Sequence, residues 1–190
     1  ICEGLVGSEM CIRDRSNNYK VIVCERPLLP LTGSFKRMSW TFYEYNRLLK
    51  DLNSIGLDIK NPNQFDNSNI SPFVVGAVQF FYLYTIFKER IVRKKNIYFF
   101  NQHDLSVNPN NSISSLLDWL NIDYSKNDID NIVINISGSS KKHKSPKDGV
   151  QHDKMYNKKH ANKYFESILS EDEIKYVKEC EVLICSGGEI

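Results

Sequence analysis

Lys20-Val-Ile-Val-Cys-Glu-Arg26, continued by Pro27-Leu-Leu-Pro-Leu-Thr-Gly-Ser34, is the stretch on which the fold turns. Val21 to Cys24 is an unbroken apolar, mostly β-branched run entered from polar Ser16-Asn-Asn18. A run of that kind predicts a strand buried on both faces of a parallel sheet. Cys24 then reads as a small core residue. Pro27 and Pro30 oppose a helix and predict a loop after the strand. Ser34 reads as the cap of a helix over about 34–53, because Phe35, Met38, Phe42, Tyr45, Leu49 and Leu52 recur at spacings of three and four. Gly56 ends that helix.

Beyond it, residues 57–69 read as a polar, Asn-rich loop, and Ser71-Pro72 opens a second long helix with proline at a tolerated position. Phe73 to Phe87 is uncharged and strongly apolar. The uncharged stretch reaches membrane-spanning length only by borrowing the polar loop before it, and Gln79, Tyr82, Tyr84 and Thr85 dilute it, so a core helix is expected and a membrane segment is not. Lys88, Arg90, Arg93, Lys94 and Lys95 suit the C-terminal end of such a helix. Asn96 to Phe100 predicts a second buried strand, Asn108 to Ser112 a turn with a cap, and Ile113, Leu116, Leu117 and Leu120 a short amphipathic helix. Ile129 to Ile136 fits a strand or an irregular apolar segment equally. Ser137 to Gly149 reads as a loop, and His160 to Ile184 as a last helix broken at Ser170, where Ser170-Glu-Asp-Glu173 makes a capping box. This alternation of strands and helices is that of an α/β layer with parallel strands.

Composition narrows the classes. The chain of 190 residues is 41% hydrophobic and 12% aromatic, enough for one domain with a core and short of two. Twenty-five Lys and Arg against 23 Asp and Glu leave +2, with the signs interleaved, so nucleic acid is not expected as a partner. Five Cys do not make a disulfide scaffold, and neither they nor His103, His143, His152 and His160 stand at metal-ligand spacings. No metal is expected.

The position with chemical promise is the end of the first strand. Open α/β sheets take ligands outside the carboxyl ends of their strands. Arg26 stands there, and Ser34 follows eight residues later. A guanidinium fork and a hydroxyl beside helix N–H groups suit a phosphate. A surface arginine with an ordinary serine cap is the competing interpretation of the same spacing.

The segment resembles the 3′-phosphate-binding strand, loop and helix of the sulfotransferases that use 3′-phosphoadenosine 5′-phosphosulfate (PAPS). That family pattern is an apolar strand, Arg, a nearby Pro and a Ser eight residues on, matched here by Arg26, Pro27 and Ser34, with Pro27 one place closer to the Arg than is usual. A second segment is similar to the family's next strand and turn: Lys95 to Phe100, His103-Asp104-Leu105, Asn108-Pro109, then the helix from Ile113 to Leu120. A third match is the basic loop Gly138-Ser-Ser-Lys-Lys-His-Lys144, in which Lys141, Lys142 and Lys144 correspond to cations over the cofactor phosphate. The resemblance implies a P-loop NTPase-like, three-layer sulfotransferase fold with parallel strands and flanking helices. It implies PAPS as donor and a carbohydrate or small metabolite, through a hydroxyl or amine, as acceptor. The long helical insert between the strands is closer to carbohydrate-type members. Such members work in the cytoplasm of prokaryotes or viruses, or in the Golgi lumen of eukaryotes.

Residues 1–15 read differently. Leu5-Val-Gly-Ser-Glu-Met-Cys-Ile-Arg-Asp14 is identical to one translated frame of a transposon-end sequencing adapter, so a non-native segment is expected over 1–15 and the C-terminal part of a sulfotransferase domain over 16–190. Without those fifteen residues, which hold two Arg against three acids, the net charge becomes +3. The family's Lys-bearing 5′-phosphosulfate loop and its catalytic base match nothing in 16–190, so the truncated chain is expected to be inactive by itself. Two other functions fit the same residues: another P-loop-type enzyme such as a nucleotide kinase, with Arg26 on a different phosphate, and a non-catalytic α/β binding domain.

Overall fold

The computed structural model describes residues 19–57, 59, 63–137 and 164–186. Among them the order is strand β1 (Val21–Glu25), helices α1 (Leu28–Arg37), α2 (Tyr45–Ser54) and α3 (Pro72–Ile91), strand β2 (Ile97–Asn101), helices α4 (Gln102–Val107), α5 (Pro109–Leu120) and α6 (Lys126–Ser137), a 3-10 turn (Tyr164–Ser167) and helix α7 (Glu171–Cys185). The architecture is α/β, mostly helical, with a parallel two-stranded sheet in which Val21 pairs with Ile97 and Glu25 with Asn101.

The prolines do not make a loop. Pro27 is the N-cap of α1 and Pro30 its third residue. The amides of a first helical turn have no acceptor within the helix, so proline there sacrifices nothing. Ser34 is therefore not a cap; it lies well inside α1.

The single helix expected over 34–53 is two helices. Ser39 adopts a left-handed conformation (φ 52), and Ser39 N bonds Lys36 O while Trp40 N bonds Phe35 O. That pair of bonds is a Schellman stop, sealed by an edge-on contact of Phe35 with Trp40. Gly56 (φ 83) stops α2 in the same way, with Leu57 N on Leu52 O and both leucines buried. Asn121 (φ 59) does so for α5. The spacing of apolar residues over 34–53 was nevertheless meaningful. Phe35 and Phe42, on opposite sides of the break, both pack against Phe80 of α3.

Residues 126–137 are helical, resolving the open choice at Ile129 to Ile136. Ser125 and Asp128 start this helix: the Asp128 carboxylate accepts from Ser125 N, and Ser125 Oγ accepts from Asp128 N. The capping box at Ser170 and Glu173 is present as expected.

The core lies among helices. Leu28 of α1, Val74 and Val78 of α3, and Val177, Cys180 and Ile184 of α7 bury together with Phe65 and Leu169. A second cluster joins Tyr45 and Leu52 of α2 to Leu83 of α3, with Leu57 and Ile59. Residues 57–69 are thus more than a polar loop, since Leu57, Ile59 and Phe65 are each buried.

The sheet is peripheral, which corrects two expectations. Ile22 is 41% exposed and Cys24 is exposed, so β1 is not buried on both faces and Cys24 is not a core residue. Burying such a strand takes neighbouring strands and a covering layer on each face. Here α3 reaches the face that carries Val23 and Glu25, while the face carrying Ile22 and Cys24 has α5 only at its β2 side, where Trp119 meets Tyr98. No helix among the described residues is long and apolar enough to cross a membrane.

Candidate functional site at the carboxyl end of the sheet

Arg26 leaves β1 at its carboxyl end, and Pro27 turns the chain directly into α1. Ser34, in the second turn of α1, meets Arg26 there. The guanidinium Nη1 donates to Ser34 Oγ at 2.6 Å, and both residues are half-buried. The first turn of α1 has neither a side-chain cap nor an acidic residue.

Glu25, one residue before Arg26, does not cancel the guanidinium charge. Its carboxylate accepts from Tyr84 Oη at 2.7 Å and from Lys88 Nζ, both on α3. Lys88 Nζ also sits 5.0 Å from the centre of the Phe99 ring. Burial, and then the hydrogen bond to Glu25, raise the Tyr84 phenol above its ordinary value, so the group stays a donor. The Glu25–Tyr84–Lys88 cluster ties the end of β1 to α3. Sequence reading missed it, although its signal was there: Tyr84 and Lys88 are four apart, hence on one helix face.

Ser34 is held from its other side. Gly33 packs so closely on the 3-10 turn that an added Cβ would lie 2.8 Å from Phe165 Cβ. Lys36 Nζ donates at 2.5 Å to Glu173 Oε2, the same oxygen that accepts Ser170 N in the capping box of α7. Arg37 lies over the Tyr164 ring, 5.1 Å from its centre.

At the end of β2 the chain enters α4 directly, with Asn101 Oδ1 accepting from His103 N. A cleft of about 420 Å³ opens there, lined by Tyr98, Phe99, Phe100, His103, Asp104 and Asn111 among others. Neither Arg26 nor Ser34 lines it.

The structure thus joins Arg26 to Ser34. Lys141, Lys142 and Lys144 lie outside the described residues, as do His143, His152 and His160. His103 is exposed, and no group of His, Cys, Asp and Glu among the described residues could hold a metal. Chemically, the Arg26 pair is a place for an anion: a planar donor fork and a hydroxyl that accepts or donates. No family model, no curated protein and no solved structure matches the chain.

Proposed function

We propose that this chain is part of a PAPS-dependent sulfotransferase and that Arg26 and Ser34 hold the 3′-phosphate of the nucleotide. In the full reaction the acceptor oxygen or nitrogen bonds to sulfur as the sulfur–oxygen bond to the 5′-phosphate breaks. The sulfuryl group moves to the acceptor, adenosine 3′,5′-bisphosphate departs, and the acceptor's proton passes to a base. This chain's share is binding and orientation at the ribose side. Gripping the unreactive phosphate positions the phosphosulfate without touching the sulfur. The reading carries with it the three-layer P-loop-like fold and a carbohydrate or small-metabolite acceptor.

The observation that supports it best is the 2.6 Å contact of Arg26 with Ser34, eight residues apart in sequence, at the carboxyl end of a parallel strand. The charge of Glu25 is matched by Lys88, so a doubly charged phosphate at Arg26 meets no bare carboxylate. The resemblance assigns Lys141, Lys142 and Lys144, which lie outside the described residues, to the same phosphate.

Calorimetric titration of the 190-residue chain tests this. Adenosine 3′,5′-bisphosphate is expected to bind more tightly than ADP. Arg26→Ala is expected to weaken it by about 10–100-fold, as loss of a charge-assisted hydrogen bond of about 1.5–3 kcal/mol implies. Equal affinity for ADP would favour a kinase-like enzyme, and an Arg26→Ala variant that binds as well as the parent would remove the site. The chain by itself is expected to form no sulfated product.

A further inference from the structure

The cleft beyond β2 differs in chemistry from the Arg26–Ser34 pair. Its walls are the exposed face of the sheet at Tyr98 and Phe100, helix α4 with His103, Asp104 and Val107, and the first turns of α5 with Asn108, Asn111, Ser112 and Ser115. Three features of that lining restrict what can sit there. No Lys or Arg lines it, while Asp104 does, so phosphate, sulfate or a carboxylate would meet a like charge without a counter-charge. Besides the Asp104 carboxylate and the His103 imidazole, its polar groups are amides and hydroxyls, which pair with uncharged donors and acceptors in either direction. Its floor is aromatic: Tyr98 is propped against Trp119 of α5 at 5.2 Å between ring centres.

Size agrees with chemistry. About 420 Å³ falls in the ordinary range of small-molecule clefts, roughly 300–1,000 Å³. His103, Asp104, Asn108 and Asn111 are all exposed, so their polar ends face solvent at the rim. Burial and the nearby Asp104 carboxylate raise the Tyr98 phenol, so the group stays a donor.

We infer that this cleft is a binding site for a neutral saccharide of one or two rings, with the C–H face of a sugar on the β2 aromatics and its hydroxyls on Asp104, Asn111 and Ser112. An aromatic floor with an amide, hydroxyl and carboxylate rim matches a molecule that is apolar on one face and hydroxyl-lined at its edges. The site shares no residue with the Arg26–Ser34 pair. It stands or falls independently of the nucleotide reading.

The test is amide chemical-shift mapping of the 190-residue chain with maltose, cellobiose and chitobiose, and with inorganic sulfate and phosphate as anionic controls. At least one disaccharide at millimolar concentration is expected to shift the amides of Asn101, His103, Asn111 and Ser112, and the anions are expected to leave them in place. Asn111→Ala and Asp104→Asn, both at exposed positions, are each expected to weaken that binding by about threefold to tenfold while leaving the rest of the spectrum unchanged. Absence of shifts with all three disaccharides would overturn the inference. So would shifts by the anions at the same amides, or saccharide shifts that both substitutions leave intact.

Discussion

Glu173 offers the sharpest test of how the Arg26–Ser34 site is held. Its Oε2 accepts from Ser170 N at 2.8 Å and from Lys36 Nζ at 2.5 Å, and its side chain is 8% exposed while that of Lys36 is 30% exposed. Lys36 lies two residues beyond Ser34, so this one oxygen links the start of α7 to the helix that carries the site serine. Glu173→Gln keeps the reciprocal cap and loses the charge, for a cost of about 1 kcal/mol. Glu173→Ala loses cap and ion pair together, for about 2–3 kcal/mol. Lys36→Met should cost less, about 1–2 kcal/mol, because the ammonium is partly solvated and its transfer from water is incomplete. Urea unfolding followed by circular dichroism gives each value, and the double variant Lys36→Met/Glu173→Ala gives the coupling, expected near 1 kcal/mol. A Glu173→Ala variant within about 0.5 kcal/mol of the parent, or additive single costs, would show that α7 does not brace α1.

Other consequences can be measured with the same means. Gly33→Ala puts a methyl 3.0 Å from Phe165 Cα, a backbone atom that cannot swing aside; a loss of about 1–3 kcal/mol is expected on urea unfolding. Ser39→Gly relieves a left-handed φ and should stabilise by about 1 kcal/mol, whereas Ser39→Val should destabilise. Burial pushes the Cys180 thiol up to about 11 from an ordinary 9.0, so the folded state holds this proton more tightly than the unfolded one. That contribution to stability is complete below pH 9 and is lost as pH rises toward 11; urea midpoints taken across that window should fall, and fall less in Cys180→Val. Peptide mapping after alkylation at pH 8 should find Cys24 and Cys185 modified quickly and Cys180 only after unfolding, since the first two are exposed and the third is buried.

The sequence revealed which segments pair or pack more reliably than where each begins. Both strands, the long apolar helix α3 and the Ser170 capping box were legible because each rests on local rules: a β-branched run, proline at a first turn, a reciprocal cap. The break at Ser39 was not, because a serine in the left-handed region gives no signal of its own; the stop is made by two backbone bonds and by Phe35 meeting Trp40. Pro27 and Pro30 misled for a related reason. Proline punctuates a chain both after a strand and at the start of a helix, and only the acceptors available around it separate the two. Spacing alone left Arg26 and Ser34 open between an anion site and a surface arginine with an ordinary cap, and the resemblance singled them out, through a wrong local picture: Ser34 meets Arg26 from within a helix rather than from its cap. The exposure of Cys24 was illegible because an apolar run states what a strand requires, and what covers it is decided by distant parts of the chain. The cleft at Asp104 and Asn111 is made by tertiary contact and has little local trace, while for Glu25 with Tyr84 and Lys88 the four-residue spacing on α3 was visible and the acceptor it meets was not.

The parallel pairing of Val21 with Ile97 has a consequence for the nascent chain. Every ladder bond of β1 waits for a partner that leaves the ribosome only after α1, α2 and α3 have all been made. At roughly 5–20 residues per second, the apolar Val21-Ile-Val-Cys24 run is solvent-exposed for several seconds, which is long for an unpaired edge. The helices that intervene have local bonds and can form at once. Synthesis thus delivers α1, α2 and α3 before the sheet can close, and the Arg26–Ser34 contact, which needs only β1's end and α1, can be in place before the strand it follows has found its neighbour.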